Sequence, residues 1–341
     1  MDLTKDLISN FEVIVNNQQQ NNYDQSNKDI WNNRMPIWFS KIKKNDEINW
    51  NILQNFRSYG LLLSETPQKS QNIFKHYLRK FIRGPGEKKH CIENFQKLLS
   101  IGYDNIFKDY DFSTVGNPEY FTQRSIKYNE RWLRHVRTCE LFKQHISKDK
   151  GLKLNVLDIG GGYSQFACML KKTVSINNIA TVDFMEQLFF SYYFIKKNFP
   201  NAKVNSLKEI LEIDIIDEKF VQKYDFVLIP IECFKNIKSG HFNVICNFSS
   251  LGEMPREVFS DYINSSVFKK AKYLFTINRL DSWPTYKNYL TILDYELNNY
   301  DPIHNMISPL WDYYYISYTN LYIKKNIFRS RKFEFIGKLK T

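Results

Sequence analysis

Hydrophobic residues in the first 150 positions recur at the spacing of amphipathic helices. In residues 129–146, apolar side chains return every three or four positions, which places them along one face of a helix. Residues 70–82 and 90–99 have similar patterns, and Arg83-Gly84-Pro85-Gly86 predicts a break between them. The sequence therefore predicts a mainly helical region over residues 1–150.

From residue 153 onward, short apolar runs alternate with helical patterns. This alternation predicts an α/β domain over residues 151–341, with a mostly parallel sheet covered by helices on both faces. Residues 311–319 and 333–339 predict antiparallel edge strands. The five runs that predict parallel strands are residues 154–160, 179–183, 224–230, 242–250 and 273–278.

The composition excludes several classes of protein. Aromatic residues make up 16% of the chain, which is far more than a disordered chain contains. No apolar run approaches the roughly 20 residues that span a bilayer, and the N-terminus lacks the pattern of a signal peptide. The 5 cysteines include no Cys-x-x-Cys pair and predict neither a disulfide framework nor a zinc cluster. We therefore expect a cytoplasmic protein with reduced thiols.

A glycine-rich turn carries the clearest chemical signal. The run Asp158-Ile159-Gly160-Gly161-Gly162 joins a predicted buried strand to a predicted helix. Glycines let such a turn approach a ligand closely, and the following helix offers free N–H groups. The dinucleotide motif G-x-G-x-x-G requires a third glycine where this chain has Gln165, which argues against NAD. The D-x-G-x-G pattern of enzymes that use S-adenosylmethionine matches completely.

A second acid stands where a ribose-binding carboxylate is expected. Asp183 ends the next predicted strand and lies 21 residues after Gly162. The alternative is an ordinary strand–helix turn in which Asp183 caps the helix. The residues predicted to bind S-adenosylmethionine are Asp158, Gly160, Gly161, Gly162, Asp183 and Phe184.

Residues 245–255, which end the fourth predicted strand, face the expected acceptor position, because ligands bind outside the carboxyl ends of parallel strands. Asn247, Ser249 and Ser250 are therefore predicted to contact the acceptor. The segment lacks the Asn-Pro-Pro-Tyr motif of enzymes that methylate base amines. The net charge of +12 favours a polyanionic partner, but the excess is spread over both halves of the chain. Nucleic acid is accordingly the less favoured acceptor.

Several of these segments together resemble one family. VLDIGGGYS (156–164), TVD (181–183), NFSSLGEMP (247–255) and YLFTINR (273–279), with TVGNPE (114–119) upstream, are similar to the sugar O-methyltransferases of bacterial surface-polysaccharide clusters. The resemblance covers residues 110–320. It implies a class I methyltransferase fold with a mostly parallel seven-stranded sheet, S-adenosylmethionine as cofactor, and a sugar hydroxyl as acceptor. Residues 1–150 would then cover the acceptor site.

Methyl transfer to a hydroxyl benefits from a general base. Glu253 is one candidate because it follows the fourth strand, although it also has the position of a helix cap. His304, expected in a C-terminal loop, is the other candidate, whereas His241 is expected to be structural. A metal would acidify the hydroxyl instead. The sequence leaves that choice open.

The remaining predicted substrate contacts are a ring and two cations. Sugars stack on aromatic faces, which makes Trp311 a candidate, although strand packing accounts for it equally. Arg131 and Arg134 suit the phosphate of a nucleotide-linked sugar, or else form a solvated helix face. Two rival functions remain: methylation of RNA, and a non-catalytic partner subunit with a methyltransferase fold. The oligomeric state is left open.

Overall fold

The computed structural model describes residues 2–20, 30–61, 73–149, 153–280, 290–310, 312–315 and 327–340. The N-terminal part is mainly helical, as predicted, with two short antiparallel hairpins. Its elements are α1 (Leu3–Gln20), α2 (Ile30–Ile42), β1 (Lys43–Lys44), β2 (Glu47–Ile48), α3 (Trp50–Gln54), α4 (Ile73–Ser100), β3 (Phe121–Gln123), β4 (Ile126–Tyr128) and α5 (Glu130–His145). Among the described helices, none combines the length and the apolar composition needed to cross a membrane.

Helix α4 corrects the predicted break at residues 83–86, because it continues through Gly84-Pro85-Gly86. A proline and a glycine inside a helix cost about 3 and about 1 kcal/mol. Packing farther along the helix offsets this cost, since Cys91, Phe95 and Leu98 are all buried in the main core.

The second part of the chain alternates strands and helices. Its strands are β5 (Asn155–Ile159), β6 (Asn178–Asp183), β7 (Phe226–Pro230), β8 (Val244–Phe248), β9 (Tyr273–Arg279), β10 (Tyr300–Ile307), β11 (Asp312–Tyr315), β12 (Ile327–Ser330) and β13 (Lys332–Leu339). Its helices are α6 (Gln165–Thr173), α7 (Met185–Asn198), α8 (Leu207–Leu211), α9 (Glu218–Val221), α10 (Arg256–Asn264) and α11 (Ser266–Lys269).

Seven strands form one sheet in the order β10-β13-β9-β8-β5-β6-β7. Strands β5 to β9 are parallel to one another, and β13 is antiparallel to both β9 and β10. This confirms the predicted mostly parallel seven-stranded sheet of the class I methyltransferase fold. The chain runs from β5 outward to β7 and then returns to β8 on the other side of β5. The strand order therefore reverses between β5 and β8, where open α/β sheets bind their ligands.

The C-terminal strands differ from the prediction in two respects. Residues 300–307, expected as a loop, form the edge strand β10, in which Pro302 is tolerated because an edge strand needs fewer N–H donors. Residues 333–339 are antiparallel as predicted, but β13 lies between β9 and β10 rather than at the edge. Strand β11 pairs with β12 in a separate two-stranded sheet.

A continuous hydrophobic core joins the N-terminal helices to one face of the seven-stranded sheet. It includes Phe39 of α2 and Val156 of β5, and the rings of Phe39 and Phe189 on α7 lie 5.8 Å apart. A second core, with Leu157 and Phe259 among its members, fills the opposite face. The proposed division at residue 150 remains a prediction.

Candidate functional site

The turn between β5 and α6 adopts a conformation that only glycine accommodates well. Gly160 and Gly162 have φ angles of +74° and +62°. A Cβ atom on Gly160 would lie 2.0 Å from Oγ of Ser250, and one on Gly162 would lie 2.7 Å from a terminal nitrogen of Arg131. The glycines therefore permit the close approach of neighbouring protein groups as well as of a ligand.

Asp158 lies buried beneath this turn at the end of β5, with 1% of its surface exposed. Neither carboxyl oxygen has a hydrogen-bond partner among the described residues. Burial, together with the nearby Asp183 carboxylate, raises the pKa of Asp158 to about 8, against the opposing effect of Arg131. An orphaned buried acid of this kind suits a ligand that brings a cation or an N–H donor.

Asp183 ties the end of β6 to the glycine turn. Its two oxygens accept hydrogen bonds from the backbone N–H groups of Gly162, at 2.7 Å, and of Phe184, at 2.8 Å. Burial raises the pKa of Asp183 to about 7, although these two hydrogen bonds lower it. A carboxylate has about four acceptor positions, so both oxygens keep capacity for hydroxyl donors. The expected ribose-binding acid thus also fixes the shape of the glycine turn.

Arg131 lies beside the glycine turn rather than on a solvated helix face. Its guanidinium stands 4.4 Å from the ring centroid of Tyr163, the residue after Gly162. Its Nε atom is buried and makes no hydrogen bond within the described chain. Arg134, one turn later on α5, forms an ion pair with Glu130. The two arginines predicted to act together therefore have different surroundings.

The end of β8 and the loop that follows it contain two predicted acceptor contacts, Asn247 and Ser249, which have different surroundings. Asn247 is fully buried, and its side chain donates to the carbonyl of Ile159 at 2.8 Å and accepts from Asn278 at 2.9 Å. Ser249 has a φ angle of +84°, and its Oγ accepts a hydrogen bond of 2.6 Å from Nζ of Lys332 on β13. Ser249 and Lys332 therefore meet at the carboxyl edge of the sheet.

Ser250 and Asn247 both hold the loop after β8 against β5. Oγ of Ser250 donates to the carbonyl of Ile159 at 2.8 Å. This bond brings the Ser250 side chain against Gly160. The position of Ser250 is consistent with support of the glycine turn.

The two predicted general bases both have charged partners. Glu253 accepts a hydrogen bond from Arg279, the last residue of β9, at 2.7 Å. Nε2 of His304 lies 3.0 Å from Glu334, a fully buried carboxylate that also binds Arg137 at 2.8 Å. Burial alone would raise the pKa of Glu334, but these hydrogen bonds hold it below its ordinary value. Arg137 itself is buried.

Sequence reasoning missed three residues at the carboxyl edge: His135, Arg279 and Lys332. His135 lies one helical turn after Arg131, so the i, i+4 spacing on α5 is the signal that could have identified it. Arg279 and Lys332 are brought together by the β9–β13 pairing, in which they face each other directly. That pairing joins residues more than fifty positions apart and has no local signal.

Two further observations concern ligands. A cavity of about 300 Å³ lies between residues 109–113 and helices α6 and α7, and it contains Gln165 but none of the predicted acids. Within the described ranges, no group of three or more His, Cys, Asp or Glu side chains is placed to hold a metal ion. Trp311, the predicted stacking ring, lies outside the described residues.

The residues at the switch point fit S-adenosylmethionine. The ligand has an ammonium group that can satisfy the orphaned oxygens of Asp158, and ribose hydroxyls that suit the remaining acceptor positions of Asp183. The buried Nε of Arg131 lacks an acceptor, which a carboxylate would provide.

No protein-family model matches the chain, and no curated protein matches its sequence. Solved structures with a similar fold include a candidate methyltransferase from Bacillus halodurans C-125, at 10% identity and a TM-score of 0.42, over 60% of this chain and 100% of that one. A candidate RNA methyltransferase from Pyrococcus horikoshii has 10% identity and a TM-score of 0.39, over 62% and 86%. TehB from Haemophilus influenzae has 11% identity and a TM-score of 0.38, over 61% and 62%. At these identities the likeness concerns the fold alone.

Proposed function

We propose that this protein is an S-adenosylmethionine-dependent O-methyltransferase that acts on a sugar hydroxyl of a surface polysaccharide or of its nucleotide-linked precursor. One observation carries the cofactor assignment: the orphaned carboxyl group of Asp158 lies beneath a glycine turn whose Gly162 is bonded to Asp183. Asp158 lies in β5, beside the point where the strand order reverses, and Asp183 ends the neighbouring strand β6.

The chain's own residues have distinct roles in holding the cofactor. The carboxylate of Asp158 would accept hydrogen bonds from the amino group of the methionine portion, and that of Asp183 would accept hydrogen bonds from the ribose hydroxyls. Arg131 pairs with the methionine carboxylate rather than with a phosphate of the acceptor. Phe184, at the start of α7, packs beside the adenine portion. When bound, the cofactor supplies a methyl group that its sulfonium has already activated.

The acceptor side lies over the ends of β8, β9 and β13. This edge presents a hydroxyl from Ser249, a cation from Lys332, and the Glu253–Arg279 ion pair. Such groups can hydrogen-bond a polyhydroxylated acceptor and align one oxygen with the methyl group, which is mainly a proximity effect. The choice of a sugar rests on the resemblance of the NFSSLGEMP segment. We also place the reaction in the cytoplasm, where nucleotide-linked sugars are the accessible acceptors.

The direct test is methyl transfer from radiolabelled S-adenosylmethionine to a panel of acceptors. The panel contains UDP-glucose, UDP-galactose, GDP-mannose and total RNA. We expect label in a nucleotide-sugar fraction and none in RNA. Label in none of the nucleotide sugars, despite cofactor binding, would contradict the sugar assignment.

RNA is the second candidate acceptor because the net charge of the chain is +12. An RNA methyltransferase would bind oligonucleotides with an affinity that falls steeply as salt rises. We expect weak binding without such a slope. A non-catalytic partner subunit would bind the cofactor and label no acceptor at all.

A further inference from the structure

The acceptor hydroxyl needs a proton acceptor, and the two residues predicted for this role are already engaged. Glu253 is paired with Arg279, and His304 is bonded to Glu334 beneath the sheet edge. In β10, His304 also lies three residues before Ile307, which ends that strand at the carboxyl edge. A different residue is therefore needed as the base.

His135, on α5, packs beside the first turn of the helix that follows the glycine turn. Its ring centroid is 6.2 Å from that of Phe166, in the first turn of α6. The Phe166 ring in turn stands 4.8 Å from Phe248, the last residue of β8. Nε2 of His135 is buried and has no hydrogen-bond partner in the described part of the chain. A buried nitrogen left unpaired destabilises the protein, and a bound hydroxyl would satisfy it.

The charges that face His135 keep its ring neutral. They come from Arg131 and Arg134 on the same helix, from Arg57 in the N-terminal region, and from Lys332 on β13. Burial is the larger effect, and these four cations add to it, so the pKa of His135 lies well below 6.5. A neutral imidazole has one nitrogen that donates and one that accepts.

We propose that Nε2 of His135 is the general base that accepts the proton of the acceptor hydroxyl. This inference rests on the proposed function, because it assigns a residue to the same reaction. It replaces Glu253 and His304 in the catalytic role and leaves them as positioning residues.

The transfer balances in atoms and charge. The hydroxyl oxygen forms a bond to the methyl carbon as the carbon–sulfur bond breaks, and the sulfur keeps that electron pair as a neutral thioether. The hydroxyl proton passes to Nε2, so the positive charge lost at sulfur appears on the imidazolium. The total charge beside the four cations is unchanged. Because the ring holds a proton weakly at neutral pH, it then releases that proton to solvent.

His241 provides a matched control within the same chain. Its Nε2 is also buried without a hydrogen-bond partner among the described residues, and burial lowers its pKa. However, His241 precedes β8 and therefore lies at the amino edge of the sheet. A role that depends on a buried, unpaired ring nitrogen alone would be shared by both histidines.

The first experiment measures the ring state of His135 without an acceptor. Histidine-selective isotope labelling and NMR are applied to the full chain with S-adenosylhomocysteine, and the His135 signals are identified by their loss in His135→Gln. We expect a neutral ring with its proton on Nδ1 at pH 7. An imidazolium, or a proton on Nε2, would overturn the proposal.

The second experiment compares His135→Gln and His241→Gln in methyl transfer to the nucleotide-sugar panel. We expect His135→Gln to lower kcat by about 10²–10⁴-fold, to leave the Kd for S-adenosylhomocysteine within about twofold, and to abolish the acid limb of the pH–rate profile. His241→Gln should keep the wild-type rate. A His135→Gln variant that retains the wild-type rate and pH profile would overturn the proposal.

Two further results distinguish a misfolded variant from a failure of the proposed function. In His135→Ala, added imidazole should restore part of the lost rate, whereas a variant that merely misfolds would neither bind S-adenosylhomocysteine nor respond. If the wild-type protein binds the cofactor but methylates no probe, the proposed function fails. The assignment of His135 then fails with it, whereas wild-type turnover that His135→Gln leaves unchanged overturns that assignment alone.

Discussion

The carboxylate of Asp183 accepts a hydrogen bond from the backbone N–H of Gly162 at 2.7 Å, across 21 residues of sequence. This bond joins the end of β6 to the turn that follows β5. The acid expected to bind the ribose hydroxyls therefore also holds the glycine turn in place. If Asp183 binds the cofactor as proposed, cofactor binding and the geometry of the turn are coupled through this one side chain.

Replacement of Asp183 tests this coupling. In Asp183→Ala, the N–H groups of Gly162 and Phe184 lose their acceptor, and we expect affinity for S-adenosylhomocysteine to fall by at least about tenfold. Titration calorimetry measures the change. The control is Asp217→Ala, which removes a similar carboxylate bond to the N–H of Phe220 at the start of α9. That variant should lose about 1 kcal/mol of stability and keep its affinity. Equal affinities in both variants would contradict the coupling.

Cofactor binding should release a proton at neutral pH. The pKa of Asp158 is raised to about 8, so its carboxyl group is mostly protonated at pH 7 before binding. A bound ammonium group favours the carboxylate and lowers that pKa, so the proton leaves. Calorimetry at pH 7 in buffers of different ionisation enthalpy measures the release, which we expect to approach one proton.

The same measurement has two internal controls. At pH 9 the carboxyl group of Asp158 is already ionised, so the release should largely disappear. In Asp158→Asn it should be reduced at pH 7 as well, although a contribution from Asp183, with a pKa of about 7, would remain. Proton uptake on binding at pH 7 would contradict the assignment of Asp158.

Alanine substitutions at two glycines distinguish the cost of backbone strain from the cost of a steric clash. Gly160 and Gly102 both have positive φ angles, +74° and +91°, but only Gly160 has a neighbour in the way of a Cβ atom. We expect Gly102→Ala to cost about 1–2 kcal/mol of unfolding free energy and to leave cofactor affinity unchanged. Gly160→Ala should cost more and abolish measurable binding, because the turn must move away from Ser250. Chemical denaturation and calorimetry would show this, and normal binding by Gly160→Ala would be contrary to it.

Arg57 fixes an N-terminal loop against the glycine turn. Its guanidinium donates to the carbonyls of Ser113, at 2.8 Å, and Val115, at 3.2 Å, and stands 5.4 Å from the ring centroid of Tyr163. In Arg57→Met we expect a loss of about 2–3 kcal/mol in unfolding free energy, measured in urea. Arg256→Met, which removes an exposed ion pair with Asp294, should change stability by less than about 1 kcal/mol. Similar losses in the two variants would argue against the role of Arg57.

Local signals in the sequence predicted the strand–turn–helix–strand unit that contains Asp158 and Asp183. Strand β5 with Asp158, the three glycines and the acid at Asp183 all lie within this unit, so spacing along the chain reports their spatial relation. The same reasoning located β8 and β9. These elements depend on patterns of fewer than thirty residues.

The proposed acceptor side depends on long-range pairings that spacing along the sequence does not report. The ion pair of Arg137 and Glu334 joins residues 197 positions apart, and Lys332 reaches Ser249 across 83 positions. Strand β10 was missed because it is an exposed edge that contains Pro302, so neither alternation nor a buried run marks it. Asn247 was predicted to contact the acceptor because it lies near the end of β8, but its side chain donates to the buried carbonyl of Ile159.

The glycine turn and its two acids are proposed to bind S-adenosylmethionine. Calorimetric titration of the full chain with S-adenosylmethionine, S-adenosylhomocysteine and NAD tests this proposal, with Asp158→Ala measured alongside. We expect both adenosyl ligands to bind, NAD not to bind, and Asp158→Ala to lose the adenosyl affinity. The absence of adenosyl binding to the wild-type protein, or binding that Asp158→Ala leaves intact, would contradict it.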